Sequence, residues 1–308
     1  MRSGRAVVHH HGHPSGLVSA NSVQEGAVML LQLRDWKTKG FFWLCFVVIA
    51  GFLFLPLIWM ILTSIKPEGE VFVRIPSLLP NEATLKNYTA LFERSDMTTQ
   101  LMNSLITAGG GAILTVTLAT YAAYSFAKFR YRGRKTLMFL MLSAQMFPFA
   151  MLLISLYPLL QSMNLLNSRL GLIISYIILA LPSGTYMLYS YFINIPSEII
   201  EAARADGAGE LYILHRIVLP LAMPALVTVG LYSFMWAWND LLFSLTLITV
   251  PELRTVGPGL LLNYVGESKS DWGGAMAASI ISSLPVVIGF SFLQRFFIQG
   301  LTAGAVKS

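Results

Sequence analysis

The sequence predicts an all-α membrane protein with six transmembrane helices and both termini in the cytoplasm. Of its 308 residues, 55% are apolar and only 12% are charged, whereas soluble domains carry about a quarter charged residues. The apolar residues gather into long segments, and crossing a bilayer as a helix takes roughly 20 residues. Six such segments are present, at about 41–63, 101–127, 136–160, 170–192, 219–248 and 274–298.

Cysteine and charge content narrow the class of protein. The one cysteine, Cys45, lies in the first apolar segment and is interpreted as a small hydrophobic residue, so no disulfide within the chain is expected. The net charge of +6 does not indicate nucleic-acid binding, because the basic residues cluster beside the apolar segments and there set membrane orientation. No cleaved secretory signal is expected, since the first apolar run begins near Phe41 and is long enough to stay in the bilayer.

The first 40 residues are predicted to form a cytoplasmic tail, of which residues 1–28 are expected to be disordered or an added extension. Met29 is a candidate native start, a hypothesis that N-terminal sequencing of native protein would test. A histidine cluster in this tail would allow metal binding, but a flexible tail is the preferred interpretation. The cluster consists of His9, His10, His11 and His13.

The loop at 128–135 predicts the orientation of the chain. Its basic residues are Lys128, Arg130, Arg132, Arg134 and Lys135. Because cytoplasmic loops carry an excess of Lys and Arg, this loop is predicted to be cytoplasmic. Alternation then places the connection at 196–220 on the same side, and the predicted cytoplasmic segments hold 14 of the 21 basic residues.

The connection at 196–220 is long and polar, and its first half predicts a short helix that ends at a corner. Ser197 is expected to cap this helix, with Glu198 and Glu201 in the first turns, where negative charge suits the helix dipole. Asp206 and Gly207 predict the end of the helix, with Gly207 in the left-handed conformation that closes it.

The second half of the connection predicts a return to helix. From 210 to 218 the pattern places Leu211, Leu214 and Val218 on one face. Pro220 then fits the first turn of the following helix, where its missing N–H is no loss. The whole connection is therefore predicted to be a rigid elbow at the membrane surface.

The elbow also carries the most specific motif of the chain: Glu-Ala-Ala, three residues, Gly, nine residues, then Ile-x-Leu-Pro. Its members are Glu201, Ala202, Ala203, Gly207, Ile217, Leu219 and Pro220. An amphipathic linker with nothing bound to it is the alternative, and the match at seven positions argues against it. The motif resembles the EAA loop of the inner-membrane permease subunits of bacterial ABC importers, and more narrowly of the maltose-type subunit that handles sugars and oligosaccharides.

Shorter stretches extend the resemblance over most of the chain. Those that resemble the family lie at 103–106, 121–128, 133–135, 145–148 and 300–307. Trp238, Asn239 and Asp240 point less firmly to the sugar-type branch.

The resemblance implies a six-span type I importer permease in the bacterial cytoplasmic (inner) membrane. It implies a homologous permease as partner, two ATPase subunits below and a periplasmic or lipid-anchored solute-binding protein above. ATP and Mg would be bound by the ATPase subunits, and this chain would have no cofactor and no catalytic residue. Segments 64–100 and 248–273 are candidates for contact with the binding protein. Residues 301–308 are the predicted cytoplasmic tail, and by the resemblance the stretch Gly300–Lys307 would reach between the ATPase subunits.

In that family the elbow docks into a cleft on the ATPase, so the resemblance implies a set of coupling residues here. Glu201 would pair with a basic residue of the ATPase, and Gly207 would set the corner. The full set is Glu201, Ala202, Ala203, Asp206, Gly207, Ile217, Leu219 and Pro220.

Polar residues within the apolar segments are candidates for the translocation path, because such residues usually face a partner or a cavity. Asp240 is the only acid there, and it lies roughly 30 Å along the helix from Pro220 at the helical rise. That depth favours an external vestibule or gate, with an interfacial belt as the alternative that also accounts for Asn239. Gln145 and Pro148 lie mid-segment, where Pro148 can kink the helix and packing between helices is the alternative role.

The rival class is a self-sufficient secondary transporter or channel. Such proteins normally need ionisable groups near the midplane and often contain inverted repeats, and the sequence offers neither. It also lacks a P-loop and a pair of His and carboxylate at metal-ligand spacing within a span, so energy is expected from another subunit. Maltose-like sugars, polyanionic oligosaccharides, polyols and glycerol phosphates all remain open as substrates.

Overall fold

The computed structural model describes residues 36–71, 73, 77–93, 96–265 and 271–305, with the backbone alone at 36–38 and 295–305. These residues form helices and turns, and the described part of the chain contains no strand. The histidine cluster, Met29 and the end of the C-terminal tail lie outside the described residues. The chain divides into two compact units, Met1–Trp59 and Met60–Ser308.

Helix α1, Trp36–Ser64, accounts for all the described structure of the first unit and continues into the second. The other helices are α2 Glu68–Val71, α3 Lys86–Glu93, α4 Met97–Lys128, α5 Arg134–Ser143, α6 Phe149–Ser162, α7 Arg169–Phe192, α8 Ser197–Ala205, α9 Glu210–Ile213, α10 Leu219–Leu221, α11 Met223–Trp238, α12 Leu242–Leu247, α13 Val256–Tyr264 and α14 Trp272–Ala305. Short 3₁₀ turns lie at Ala144–Met146 and Pro251–Leu253, and a π turn at Leu214–Val218.

Within the described residues, four helices are long and apolar enough to cross a membrane: α1, α4, α7 and α14. Two bent pairs raise the number to six if each pair is one span. The first pair joins Arg134–Met146 to Phe149–Ser162 at 102°, and the second joins Glu210–Leu221 to Met223–Trp238 at 82°. The structure is therefore an all-α bundle in which two apolar segments are sharply bent.

The first of these bends differs from the continuous helix expected at 136–160. Phe147 and Pro148 both have extended backbone, with ψ of 137° and 133°, and α6 begins only after them. A proline drives the residue before it out of the helical region, so a full break replaces the expected kink. The segment at 219–248 differs too, because α11 ends at Trp238 and the residues beyond form a turn and the short α12.

Glycines allow α4, α7 and α11 to pack closely in the core of the second unit. A Cβ built on Gly110 would lie 3.1 Å from Ile173, and one on Gly111 would lie 3.3 Å from Tyr176, both in α7. Small residues let helix backbones approach in this way. These contacts give Gly110 and Gly111 a packing role between α4 and α7.

Asn103 and Ser104 do not cap α4, although they lie at the start of an apolar segment. The helix begins at Met97, so both residues lie inside it, and both are buried. The Asn103 amide donates hydrogen bonds of 2.9 Å to the carbonyl oxygens of Glu252 and Arg254. The Ser104 hydroxyl accepts one of 2.9 Å from the N–H of Val256. These side chains therefore hold the turn at 252–256 against the end of α4 that lies away from the elbow, here called the far end.

Candidate functional site: the elbow and the α11–α12 cleft

The elbow, residues 196–220, begins with α8. Pro196 occupies the position before the first helical residue, and Ser197 makes no capping hydrogen bond. The prediction that Ser197 caps this helix is therefore wrong by one position, because Ser197 already belongs to the first turn. Ile200 is buried on the inner side of α8, whereas Glu198 and Glu201 are exposed on the outside.

The corner of the elbow is a Schellman motif. Gly207 has φ of +82°, as predicted for a left-handed C-terminal residue. Its N–H donates to the carbonyl of Arg204 at 3.0 Å, and the N–H of Ala208 donates to the carbonyl of Ala203 at 3.0 Å. This pair of bonds satisfies the last carbonyl groups of the helix by backbone alone. The corner is thus set without any side chain.

The second half of the elbow departs from the predicted helical face. Leu211 is 67% exposed, whereas Ile213, Leu214 and Val218 are fully buried. The π turn at 214–218 contains more residues per turn than an α-helix, so the α-helical spacing does not continue through it. The prediction that Leu211 shares one face with Leu214 and Val218 is therefore wrong, and the buried Ile213 was not among the predicted residues. Pro220 lies in the first turn of α10, as predicted.

The motif residues divide into an outward surface and an inner anchor. The inner group, half-buried against the core of the second unit, is Ala203, Ile217 and Leu219. The outward group, exposed to solvent, is Glu201, Ala202, Asp206, Gly207 and Pro220. The outward group contains two acidic side chains, Glu201 and Asp206, and no basic one.

Three side chains at the adjacent end of α4, here called its elbow end, hold the elbow in place. The hydroxyl of Tyr124 donates to Glu210 Oε2 at 2.9 Å, and Arg204 Nε donates to Glu210 Oε1 at 2.6 Å. Lys128 Nζ donates to the carbonyl of Ile195 at 2.9 Å. The Tyr121 hydroxyl lies 3.0 Å from Nε2 of His215.

Sequence reasoning missed these contacts. A signal was present, because Tyr121, Tyr124 and Lys128 are three and four residues apart and share one helical face. Nothing in the sequence, however, paired that face with the elbow.

A cleft opens at the break between α11 and α12. Its volume is about 610 Å³, and its lining residues are Tyr232, Met235, Trp236, Asn239, Asp240, Leu241 and Leu242. Trp236 is held by edge-on or tilted contacts with Phe149, Tyr176 and Phe243, at ring-centroid distances of 5.4, 6.3 and 6.4 Å. The cleft therefore combines a fixed aromatic ring with an amide and a carboxylate.

Asp240 lies beyond the end of α11, not within a continuous span. Its carboxylate accepts from the N–H groups of Phe243 and Ser244 at 3.2 and 2.8 Å, which caps the start of α12. It also accepts from the hydroxyl of Tyr176 at 3.1 Å. Asp240 thus stabilises the turn that shapes the cleft, while the neighbouring Asn239 is exposed at its rim.

The other two path candidates lie at the break between α5 and α6. The side-chain amide of Gln145 contacts the Ser183 hydroxyl, with Nε2 at 2.6 Å and Oε1 at 2.9 Å. Pro148 is exposed and directly precedes Phe149, whose ring touches Trp236 in the cleft. The two helix breaks are thereby joined through this aromatic contact.

The chemistry of these residues is that of binding. Among the described residues, no group of three or more His, Cys, Asp or Glu side chains is arranged to hold a metal ion. The cleft offers aromatic faces and hydrogen-bonding groups, and the elbow offers an exposed acidic corner.

Comparison with known proteins identifies matching sequences and folds. Residues 115–303 match the family profile described as binding-protein-dependent transport system inner membrane component, and this range includes the elbow and the cleft. The chain is 35% identical to the sulfoquinovosyl glycerol transport system permease protein SmoH of Agrobacterium fabrum, covering 82% of this chain and 88% of that protein. It is 34% identical to the trehalose/maltose transport system permease protein MalG of Thermococcus litoralis, covering 85% and 94%.

Solved structures show the same fold. A chain of a bacterial ABC transporter involved in the import of the acidic polysaccharide alginate superimposes with a TM-score of 0.72 at 23% identity, covering 92% of this chain and all of that one. A second alginate transporter structure, in complex with an alginate pentasaccharide-bound periplasmic protein, gives 0.64 at 15% identity, covering 84% and 93%.

Proposed function

The chain belongs to the family of inner membrane components of binding-protein-dependent transport systems, and from that premise we propose that it is the permease subunit of a carbohydrate ABC importer. The match over 115–303 carries this proposal. The carbohydrate class is supported by relatives named for sulfoquinovosyl glycerol and for trehalose and maltose. As a multi-pass permease, the chain supplies a path through the membrane and leaves ATP hydrolysis to other subunits.

The elbow is the proposed docking point for an ATPase subunit. Its support is geometric: an exposed corner, fixed by backbone hydrogen bonds, presents Glu201 and Asp206 while Ile217 and Leu219 anchor it. A docking element needs a fixed shape, and the backbone hydrogen bonds of the Schellman motif fix the end of this helix. ATP binding would close two ATPase subunits, move the elbow and turn the spans from an inward-facing to an outward-facing state.

The cleft at the α11–α12 break is the proposed part of the translocation path. Asn239 and Asp240 supply polar groups beside the fixed ring of Trp236, an arrangement that suits transient contact with a hydroxylated solute. Gln145 and Pro148 are proposed to line the neighbouring break between α5 and α6. A homologous permease would form the opposite wall, and a solute-binding protein would deliver solute from outside.

The orientation of the chain is part of the same proposal. The basic loop at 128–135 adjoins the elbow through Lys128, which bonds Ile195. Both therefore lie at one end of the bundle, and cytoplasmic loops favour Lys and Arg. The proposed site of action is the bacterial inner membrane, with the elbow on the cytoplasmic side.

Purification of the chain from native membranes in mild detergent tests this function. We expect co-purification of an ATPase, a second permease and a solute-binding protein, and mass spectrometry of the binding protein's ligand would name the solute. The complex should then import that solute into proteoliposomes only when ATP is supplied. Solute movement by the chain alone, without ATP, would instead establish a secondary transporter or channel.

A further inference from the structure

One face of α4 holds the elbow at several points. Lys128 bonds the backbone before α8, Tyr124 bonds Glu210 at the start of α9, and Tyr121 contacts His215 in the π turn. Glu210 also accepts from Arg204 in α8, so its carboxylate joins α8, α9 and α4 in one cluster. Movement of the elbow therefore pulls directly on α4.

The far end of the same helix holds a different part of the chain. Asn103 bonds the carbonyl groups of Glu252 and Arg254, and its own Oδ1 accepts from Arg169 Nε at 2.9 Å. Ser104 bonds the backbone of Val256. The turn at 252–256 is thus fixed to α4 by buried side chains.

The helix between these two attachments is built to move as one piece. It runs without interruption from Met97 to Lys128, contains no proline, and packs closely on α7 at Gly110 and Gly111. From Asn103 to Tyr124 it spans about 30 Å at the helical rise. A continuous helix of this length transmits displacement better than the broken α5–α6 and α10–α11 segments beside it.

We propose that α4 is a rod that couples the elbow to the turn at 252–256, and that Tyr124 and Glu210 are the positioning residues at its driven end. The inference rests on the proposed function, because it assigns a route for the movement that an ATPase would impose on the elbow. It adds the residues that make the two attachments of this route, which are Tyr124 and Glu210 at the elbow and Asn103 and Ser104 at the turn.

Substitution of Tyr124 is the most direct test of the coupling role of α4. Its ring is buried, so its position is fixed, and its hydroxyl bonds Glu210. The substitution Tyr124→Phe deletes that hydrogen bond and keeps the ring. Tyr131→Phe is the matched control, because Tyr131 lies just beyond the same end of α4 and its hydroxyl contacts Ser125, not the elbow.

The experiment measures ATP hydrolysed per solute imported by the complete complex in proteoliposomes, with and without liganded binding protein. Tyr124→Phe should raise this ratio about two- to tenfold, the factor that the loss of one hydrogen bond implies. It should also weaken stimulation by binding protein while thermal melting of the complex stays unchanged. Asn103→Ala should also raise the ratio from the far end, but with a lower melting temperature, because it leaves the buried partners of Asn103 unpaired. The double variant should be no worse than the stronger single one, because both residues act in one relay.

Glu210 provides an independent test should Tyr124→Phe not assemble. Glu210→Ala removes the acceptor of both Tyr124 and Arg204 and should raise the ratio. Glu210→Gln keeps one acceptor oxygen for Tyr124 but loses the ion pair with Arg204, so it should raise the ratio less than Glu210→Ala does. An unchanged ratio in Tyr124→Phe or Glu210→Ala would overturn the proposal that α4 couples the elbow to the turn. A parallel loss of ATP hydrolysis, import and melting temperature would overturn it too, because it would indicate a purely structural role. Absence of ATP-driven import by the wild-type complex would instead overturn the proposed function.

Discussion

The N–H of Ala208 donates to the carbonyl of Ala203 at 3.0 Å, and with the bond from Gly207 to Arg204 it closes the corner at which the elbow leaves α8. It spans Gly207, the residue with φ of +82°. The corner therefore depends on one backbone conformation, and that conformation can be tested by substitution.

Substitutions at Gly207 should reduce transport least for Asn, more for Ala and most for Pro. A Cβ at this position meets no atom within 4 Å, so the effect of Asn and Ala is backbone strain alone, which Asn tolerates best and which costs other residues roughly 1–2 kcal/mol. Proline cannot adopt positive φ and removes the N–H that bonds Arg204. ATP-driven uptake at matched assembly is the measurement, and full uptake by Gly207→Pro would count against a coupling role.

Breaking the hydrogen bond between Asp240 and Tyr176 should lower the stability of the protein. Asp240→Ala removes the cap of α12 and leaves the buried Tyr176 hydroxyl unpaired, which should cost about 2–4 kcal/mol in all. Tyr176→Phe should cost less, because Asp240 keeps its backbone donors. Thermal unfolding of the two single variants and the double variant would give the coupling energy, and purely additive effects would contradict the link.

Overpacking at Gly184 should destabilise the core. A Cβ there would lie 2.9 Å from Cγ1 of Val229, closer than real contacts allow, and such strain typically costs about 1–3 kcal/mol. Val229→Ala makes room, so the double variant should recover stability relative to Gly184→Ala. The control is Gly109→Ala, whose new methyl group meets nothing within 4 Å. Equal melting temperatures for Gly184→Ala and Gly109→Ala would refute the packing.

Asn167 should be required to order the residues after α12. Its side-chain oxygen accepts from the N–H and hydroxyl of Thr249 and the N–H of Val250, at 2.6, 3.0 and 3.2 Å. Asn167→Gly keeps the positive φ of 51° but removes these bonds, so hydrogen exchange at 249 and 250 should speed up.

Asn164→Gly is the control for this prediction. Asn164 also has positive φ, of 56°, and its replacement should leave exchange at 249 and 250 unchanged. Equal protection in the two variants would show that the side chain of Asn167 is dispensable.

The helical class and the corner at Gly207 could be predicted from the sequence. Long apolar segments indicate helices, and a glycine after a helix indicates its end, so both signals lie in neighbouring residues. The break at Pro148 was foreseen only as a kink, since the sequence does not reveal that Phe147 turns extended as well. Likewise, hydropathy placed Asp240 inside the apolar segment 219–248, whereas α11 already ends at Trp238. The contacts of Tyr124 and Asn103 join residues 86 and about 150 positions apart, and no local pattern encodes such pairing.

The Schellman corner has a consequence for how such a protein can change over generations. Because backbone hydrogen bonds alone close α8, and the outward side chains at 201, 202 and 206 take no part in that closure, mutation can rewrite this surface without a folding penalty. Under the proposed docking role, a duplicated copy of the gene could therefore adapt this surface to a different ATPase one substitution at a time.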